Sequence, residues 1–275
     1  MKLGYTEFSY GYAFTENLIR WAPANPTGAP VFPNLVQEAE LGYDMHLNLP
    51  GCPLFFQYKL PELMVKGTAA EIAVHRIPGI EIPFFRMPLM RRDLSTQHQR
   101  LMDLERQFPG TVLYATPHLR DVASFNAAYN AAQVHLHSAF FSPAAIGPLP
   151  DDRSHMIAYK AGPASAWLCS EPREIPAQNF DDLGKKVREL FGQSRYRTLE
   201  TASAHLRSQV LSLASREMRA SEGTVRQRIR ARRGALSARL VTSVETERVI
   251  EDILVSREIA RVDLGLDLLV AQPST

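Results

Sequence analysis

The sequence predicts an α/β fold followed by a mainly α-helical C-terminal region. Three observations predict it. Leu54 to Leu60 and Thr111 to Pro117 are apolar, aromatic runs bounded by turn residues, the pattern of buried strands. Between them Leu94, His98, Leu101, Leu104 and Phe108 fall on one helical stripe. From Phe180 onward prolines vanish until Pro273, and Leu199, Ala202, Leu206, Val210 and Leu213 recur at helical spacing. The organisation this suggests is one α/β domain over residues 1–175 and one helical, Arg-rich domain over 176–275.

The elements follow in order. Residues 1–9 carry alternating aromatics and read as a strand or an arm. Ala13 to Trp21 reads as a helix, with Thr15 as a cap and Phe14, Leu18 and Trp21 on one face. Pro23 to Pro33 is too rich in proline for helix. Leu35 to Leu41 allows one or two helical turns, and Leu49 to Pro53 is a turn. Pro83 to Pro88 reads as a short strand, and Leu89 to Phe108 as a helix closed by Gly110. Phe125 to Ala132 reads as a short helix, Val134 to Phe141 as a strand, and His155 to Tyr159 as the last strand of the domain. His135 and His137 would then share a strand face, where plain surface histidines are commoner than a metal pair. Asp151, Asp152 and His155 could form a polar cluster, for which a loop cap is the commoner explanation. Asp181 to Phe191 and Val244 to Ala260 read as helices, and Leu264 to Val270 as a final strand.

Composition narrows the function classes. The 275 residues carry a net charge of +2. Residues 178–275 hold 17 Lys/Arg against 13 Asp/Glu, a net of +4, which leaves the front part at −2. Two cysteines, Cys52 and Cys169, without motif spacing fit a reducing cytoplasm and no disulfide framework. No apolar run approaches a membrane span, and the N-terminus lacks a secretory pattern. There is no phosphate loop, dinucleotide fingerprint, G-x-S-x-G elbow, H-E-x-x-H or CxxC pair.

The residues with chemical promise lie around a turn. Asp44 precedes Leu49-Pro50-Gly51-Cys52-Pro53. Gln57 and Lys59 follow it, two apart on one strand and so on one face. A hairpin would bring the acid towards the amide and the ammonium. Asp44 and the Gln57 carbonyl suit magnesium, which takes hard oxygen ligands and keeps several waters. Lys59 suits the orientation or deprotonation of an attacking water. The same residues also fit an Asp at a turn and a Lys snorkelling from a strand end.

This D…QxK pattern resembles the signature of the PD-(D/E)xK nuclease superfamily, with Gln for Glu as in its Mrr-like members. The resemblance covers about residues 10–120. It implies a restriction-endonuclease-like αβββαβ core and Mg²⁺- or Mn²⁺-dependent cleavage of DNA, in a restriction or phage-defence setting. It implies Asp44 and Gln57 as metal ligands, Lys59 as the catalytic lysine, and an assisting acid on the first helix. Glu16 is the first candidate for that acid, with Glu38 and Glu40 competing. A neutral amide binds Mg²⁺ more weakly than a carboxylate, which implies low activity or activation on assembly.

Between Arg216 and Arg239 stand eight arginines against Glu217 and Glu222. Arg226, Arg228, Arg230, Arg232 and Arg233 are the densest part and suit contact with DNA phosphates. A solvated helix or a face for an acidic protein fits them equally. Two other functions stay open. One is a non-catalytic assembly or adaptor protein that docks a partner, or a second copy, through its C-terminal helices. The other is DNA binding without cleavage.

Overall fold

In the computed structural model the chain is a mixed α/β protein, described over residues 1–21, 50–237 and 244–273. These residues divide into two compact units. The first joins Met1–Trp21 to Phe56–Lys185; the second joins residues 50–55 to the chain from Lys186 onward.

The first unit opens with helix α1 (Glu7–Trp21). Strand β1 (Cys52–Tyr58) runs into this unit and is buried at every position. Then come β2 (Glu62–Met64), α2 (Ala70–Ala73), β3 (Phe84–Leu89), α3 (Gln97–Gln107) and β4 (Val112–Pro117). Helix α4 (Val122–Asn130), β5 (Ser138–Phe141), α5 (Pro143–Ile146), β6 (His155–Tyr159), β7 (Ser165–Leu168) and β8 (Arg173–Pro176) follow, and α6 (Phe180–Phe191) leads out of the unit. The strands after α1 do not form one meander. β1 lies beside β4, which pairs with β5, whereas β2 and β3 belong to a second sheet in the order β2-β3-β6-β7-β8.

Aromatic packing fixes α1 on the first sheet. Phe14 stands 5.2 Å from Phe56 and 5.9 Å from Phe140, and Tyr10 meets Tyr58 edge-on at 5.6 Å. Such edge-to-face pairs add to the burial of large apolar area. Gly11 permits this approach, because a Cβ there would lie 2.6 Å from the Tyr58 ring. Thr15 spends its hydroxyl on the Tyr58 hydroxyl, 2.9 Å away, rather than on a helix cap. The second sheet has its own core, in which Ile77, Ile80, Phe84, Ala158 and Cys169 are buried together.

Several elements differ from the sequence expectations. The first helix starts at Glu7, not Ala13, because Thr6 Oγ1 accepts the Ser9 N–H at 3.0 Å and so caps it. The third helix starts at Gln97, not Leu89. Leu89 is held in the sheet opposite His155 instead, and the chain turns before the helix begins. Residues 134–137 form a 3₁₀ turn rather than a strand, with the Asn17 side chain accepting the Val134 N–H at 3.0 Å. His135 and His137 therefore do not share a strand face. His155–Tyr159 is not the unit's last strand; the β7–β8 hairpin continues the sheet.

The second unit contains α7 (Leu199–Leu213), α8 (Arg216–Ser237), α9 (Val244–Asp263) and β9 (Asp267–Ala271), with β9 next to β1. Thr198 caps α7 through the Thr201 N–H. Among the described side chains of α8 Val225 and Ile229 are buried, and α9 buries Val249, Ile250, Val255 and Ile259.

Candidate active site

Strand alternation puts Gln57 and Lys59 on one side of β1. Lys59 stays extended past the strand end because its N–H donates to the Ala115 carbonyl of β4 at 2.9 Å. The first residue of α3 meets both. Gln97 Nε2 donates to Gln57 Oε1 at 2.8 Å, and Lys59 Nζ reaches Gln97 Oε1 at 3.5 Å. Gln57 Nε2 donates to the Tyr58 carbonyl at 3.3 Å, which sets the direction of its amide. The centre is largely closed to water: Gln57 is 7% exposed and Lys59 8%.

Burial pushes the Lys59 ammonium below its ordinary range, and the nearby Glu7 carboxylate opposes that shift. Burial likewise raises the Glu7 carboxyl, with Lys59 and the Leu60 N–H holding it back. The acid of α1 beside Lys59 is thus Glu7. Glu16 lies nine residues further along, roughly 13 Å at the rise of an α-helix. There it forms an ion pair with Arg20 and accepts from Asn17 Nδ2 at 2.8 Å. The structure does not bring Glu16 to Gln57 and Lys59. Asp44, Glu38 and Glu40 lie outside the described residues.

Sequence reasoning missed Gln97 and Glu7. A capping Thr6 directly before Glu7 is a readable helix start and would have shifted the first acid forward by two turns. Nothing local marks Gln97; only the docking of α3 on β1 reveals its role.

As a place for Mg²⁺ the described residues fall short. The Gln57 carbonyl already accepts from Gln97 and stands near an ammonium. Among the described residues no three His, Cys, Asp or Glu side chains converge on a cation site. What the arrangement offers by itself is a lysine with weakened proton affinity, a fixed amide carbonyl and a neighbouring acid.

The arginines of α8 have varied surroundings. Arg226 bonds to Asp252 at 3.1 Å and to Glu222 at 3.2 Å, and forms an ion pair with Glu251. Arg230 pairs with Glu251 at 2.7 Å, and Arg207 of α7 with Glu222 at 2.9 Å. Burial works to raise the Glu222 carboxyl, but Arg207 and Arg226 outweigh it and hold the group below its usual range. Arg228 is exposed. The side chains of Arg232 and Arg233 lie outside the described residues.

No helix among the described residues is long and apolar enough to cross a membrane. Compared with known proteins, the chain matches no family model, no curated protein and no solved structure.

Proposed function

We propose that the chain is a metal-dependent nuclease hydrolysing phosphodiester bonds of DNA, with Gln57 and Lys59 at its centre. One observation carries the reading: the buried Gln57 and Lys59 both reach one half-buried residue, Gln97, as two side chains of a shared site would. In this reading Lys59 positions the water, and its weakened hold on its own proton leaves more of the amine unprotonated and available as a base. Gln97 keeps the Gln57 carbonyl aimed, and Glu7 balances the lysine charge. Asp44, the acid of the sequence motif, would hold magnesium or manganese, and the ion would supply Lewis acidity at the phosphate. An αβββαβ core of the restriction-endonuclease kind belongs to the same reading, as does a role in restriction or phage defence.

The test uses the purified full chain, supercoiled plasmid and Mg²⁺ or Mn²⁺. Cleavage that EDTA stops and that both Lys59→Ala and Asp44→Ala abolish supports the nuclease. Cleavage that survives either change, or none with either metal, removes it.

Two observations favour a second reading, a non-catalytic assembly protein. The polar centre is closed to a polymer, and Arg226 and Arg230 are engaged by acids of their own unit. On this reading the helices of the second unit dock a protein partner or another copy. Light scattering would then give an oligomer, while DNA affinity would be absent at low salt.

A further inference from the structure

Away from Gln57 and Lys59, the sheet register brings a serine, a histidine and an aspartate together. Ile157 of β6 stands opposite Leu168 of β7. The ladder continues by one step, since the Cys169 N–H donates to the Met156 carbonyl at 2.9 Å. The next opposed pair is then His155 and Ser170. Ser170 sits in the four-residue loop joining β7 to β8 and is exposed, whereas His155 is fully buried. His155 Nδ1 lies 2.7 Å from Ser170 Oγ. Its Nε2 lies 3.1 Å from the Asp151 carbonyl oxygen and 3.3 Å from the Asp151 carboxylate.

The contact with the carbonyl decides the tautomer. A backbone carbonyl only accepts, so Nε2 carries the proton and donates it to Asp151. Nδ1 then presents its lone pair, and the Ser170 hydroxyl donates to it. This is the arrangement of a nucleophile against its base, with the base oriented by a third group. The Asp151 carboxylate is itself anchored, since Oδ1 accepts the Arg153 N–H at 2.7 Å. It stands where it would stabilise a positive imidazole ring. His98 shows the contrast. Its Nε2 is fixed by the Gly147 carbonyl and its Nδ1 faces the Tyr114 hydroxyl, both at 2.8 Å. Tyr114 is 1% exposed, so no substrate reaches that pair. Ser170 is open to solvent.

We propose that Ser170, His155 and Asp151 form a second reactive site, an acyl-transfer centre for small carboxylic esters. Ser170 Oγ bonds to the ester carbonyl carbon while its proton passes to His155 Nδ1. The tetrahedral adduct collapses, the C–O bond to the leaving alcohol breaks, and that alcohol takes the proton from the ring. Water then attacks the acyl-serine, giving its proton to His155; the ring returns it to Ser170 as the carboxylic acid departs.

The test treats the purified full chain with a fluorophosphonate probe and p-nitrophenyl acetate, and maps the modified residue by mass spectrometry. Ser170 is expected to label about a hundredfold faster than other exposed serines. Ser170→Ala should remove both the label and the burst of p-nitrophenol, and the neighbouring Ser154→Ala should change neither. Asp151→Asn should slow labelling about tenfold. Nitrogen-15 NMR should find the His155 proton on Nε2. Labelling of Ser170 no faster than of other serines, an unchanged rate in Asp151→Asn, or a proton on Nδ1 overturns the proposal and leaves the serine as a pin for the hairpin.

Discussion

Gln97 Nε2 donates to Gln57 Oε1 across 2.8 Å, and this one bond ties the start of α3 to the middle of the first sheet. Gln57 is 7% exposed while Gln97 is half-buried, so losing Gln97 leaves the buried Gln57 carbonyl unsatisfied. Gln97→Leu is expected to cost about 1–3 kcal/mol, the price of a buried polar group without a partner. In a urea series with Gln57→Leu, the double variant should lose less than the sum of the two single ones. Strict additivity would mean that the bond carries no coupling.

The ion pairs of α8 give the second prediction. Asp252 is 3% exposed and Glu251 8%, and Arg226 bonds to both. Arg226→Ala takes one cation from two buried carboxylates, leaving Arg207 beside Asp252 and Arg230 beside Glu251, at a cost of roughly 3 kcal/mol. The exposed Arg228→Ala should stay within about 0.5 kcal/mol of the parent. Chemical denaturation separates the two. If DNA is bound, Arg228→Ala should also lower the slope of log affinity against log salt by about 1. Equal stability losses from both changes would contradict this placement.

Much of the framework was legible because it rests on local pattern. The runs around Phe56 and Leu113 are strands, and the apolar stripes after Phe180 are helices, as periodicity requires. The site was legible only as the pair Gln57 and Lys59, since spacing along one strand fixes a shared face. Its completion by Gln97 and Glu7 was not, because it depends on where two helices dock. The surroundings of the basic stretch of α8 were not legible for a related reason. Its acids Glu251 and Asp252 come from α9, and no window of sequence places them beside Arg226. The break of Val134–Phe141 into a turn and a strand likewise follows from a distant side chain, Asn17.

Two histidines set an acid limit. Burial is the larger cause and His137 the smaller in holding both His118 and His135 down to about 4. Their ordinary value is 6.5, so the unfolded chain takes up protons that the folded one refuses. Stability from these rings is complete above pH 6.5, falls as the pH drops from there, and levels off below 4. The loss is at most on the order of 3 kcal/mol for each ring. His135→Leu keeps an apolar body beside Phe180 and should flatten the fall between pH 7 and 4 by about that amount. An unchanged pH slope would show that His135 does not set this limit.

Two helical glycines should respond to alanine with opposite signs. At Gly223 of α8 an added Cβ meets nothing within 4 Å. Gly223→Ala should therefore stabilise by up to about 1 kcal/mol through the unfolded chain's lost freedom and the helix preference of alanine. At Gly11 the same atom meets Tyr58 Cδ2 at 2.6 Å and Cε2 at 2.9 Å. That ring is 8% exposed, stands against Tyr10 and Phe14, and is tied at its hydroxyl to Thr15, so it has little room to yield. Overpacking costs about 1–3 kcal/mol, which exceeds the helical gain. Gly11→Ala should lower the melting temperature while Gly223→Ala raises it. Because Tyr58 lies between Gln57 and Lys59 in the chain, the Gly11 change should also shift the side-chain amide resonances of Gln57 and Gln97, and Gly223→Ala should leave them in place. A stabilised Gly11→Ala would mean that α1 does not approach β1 this closely.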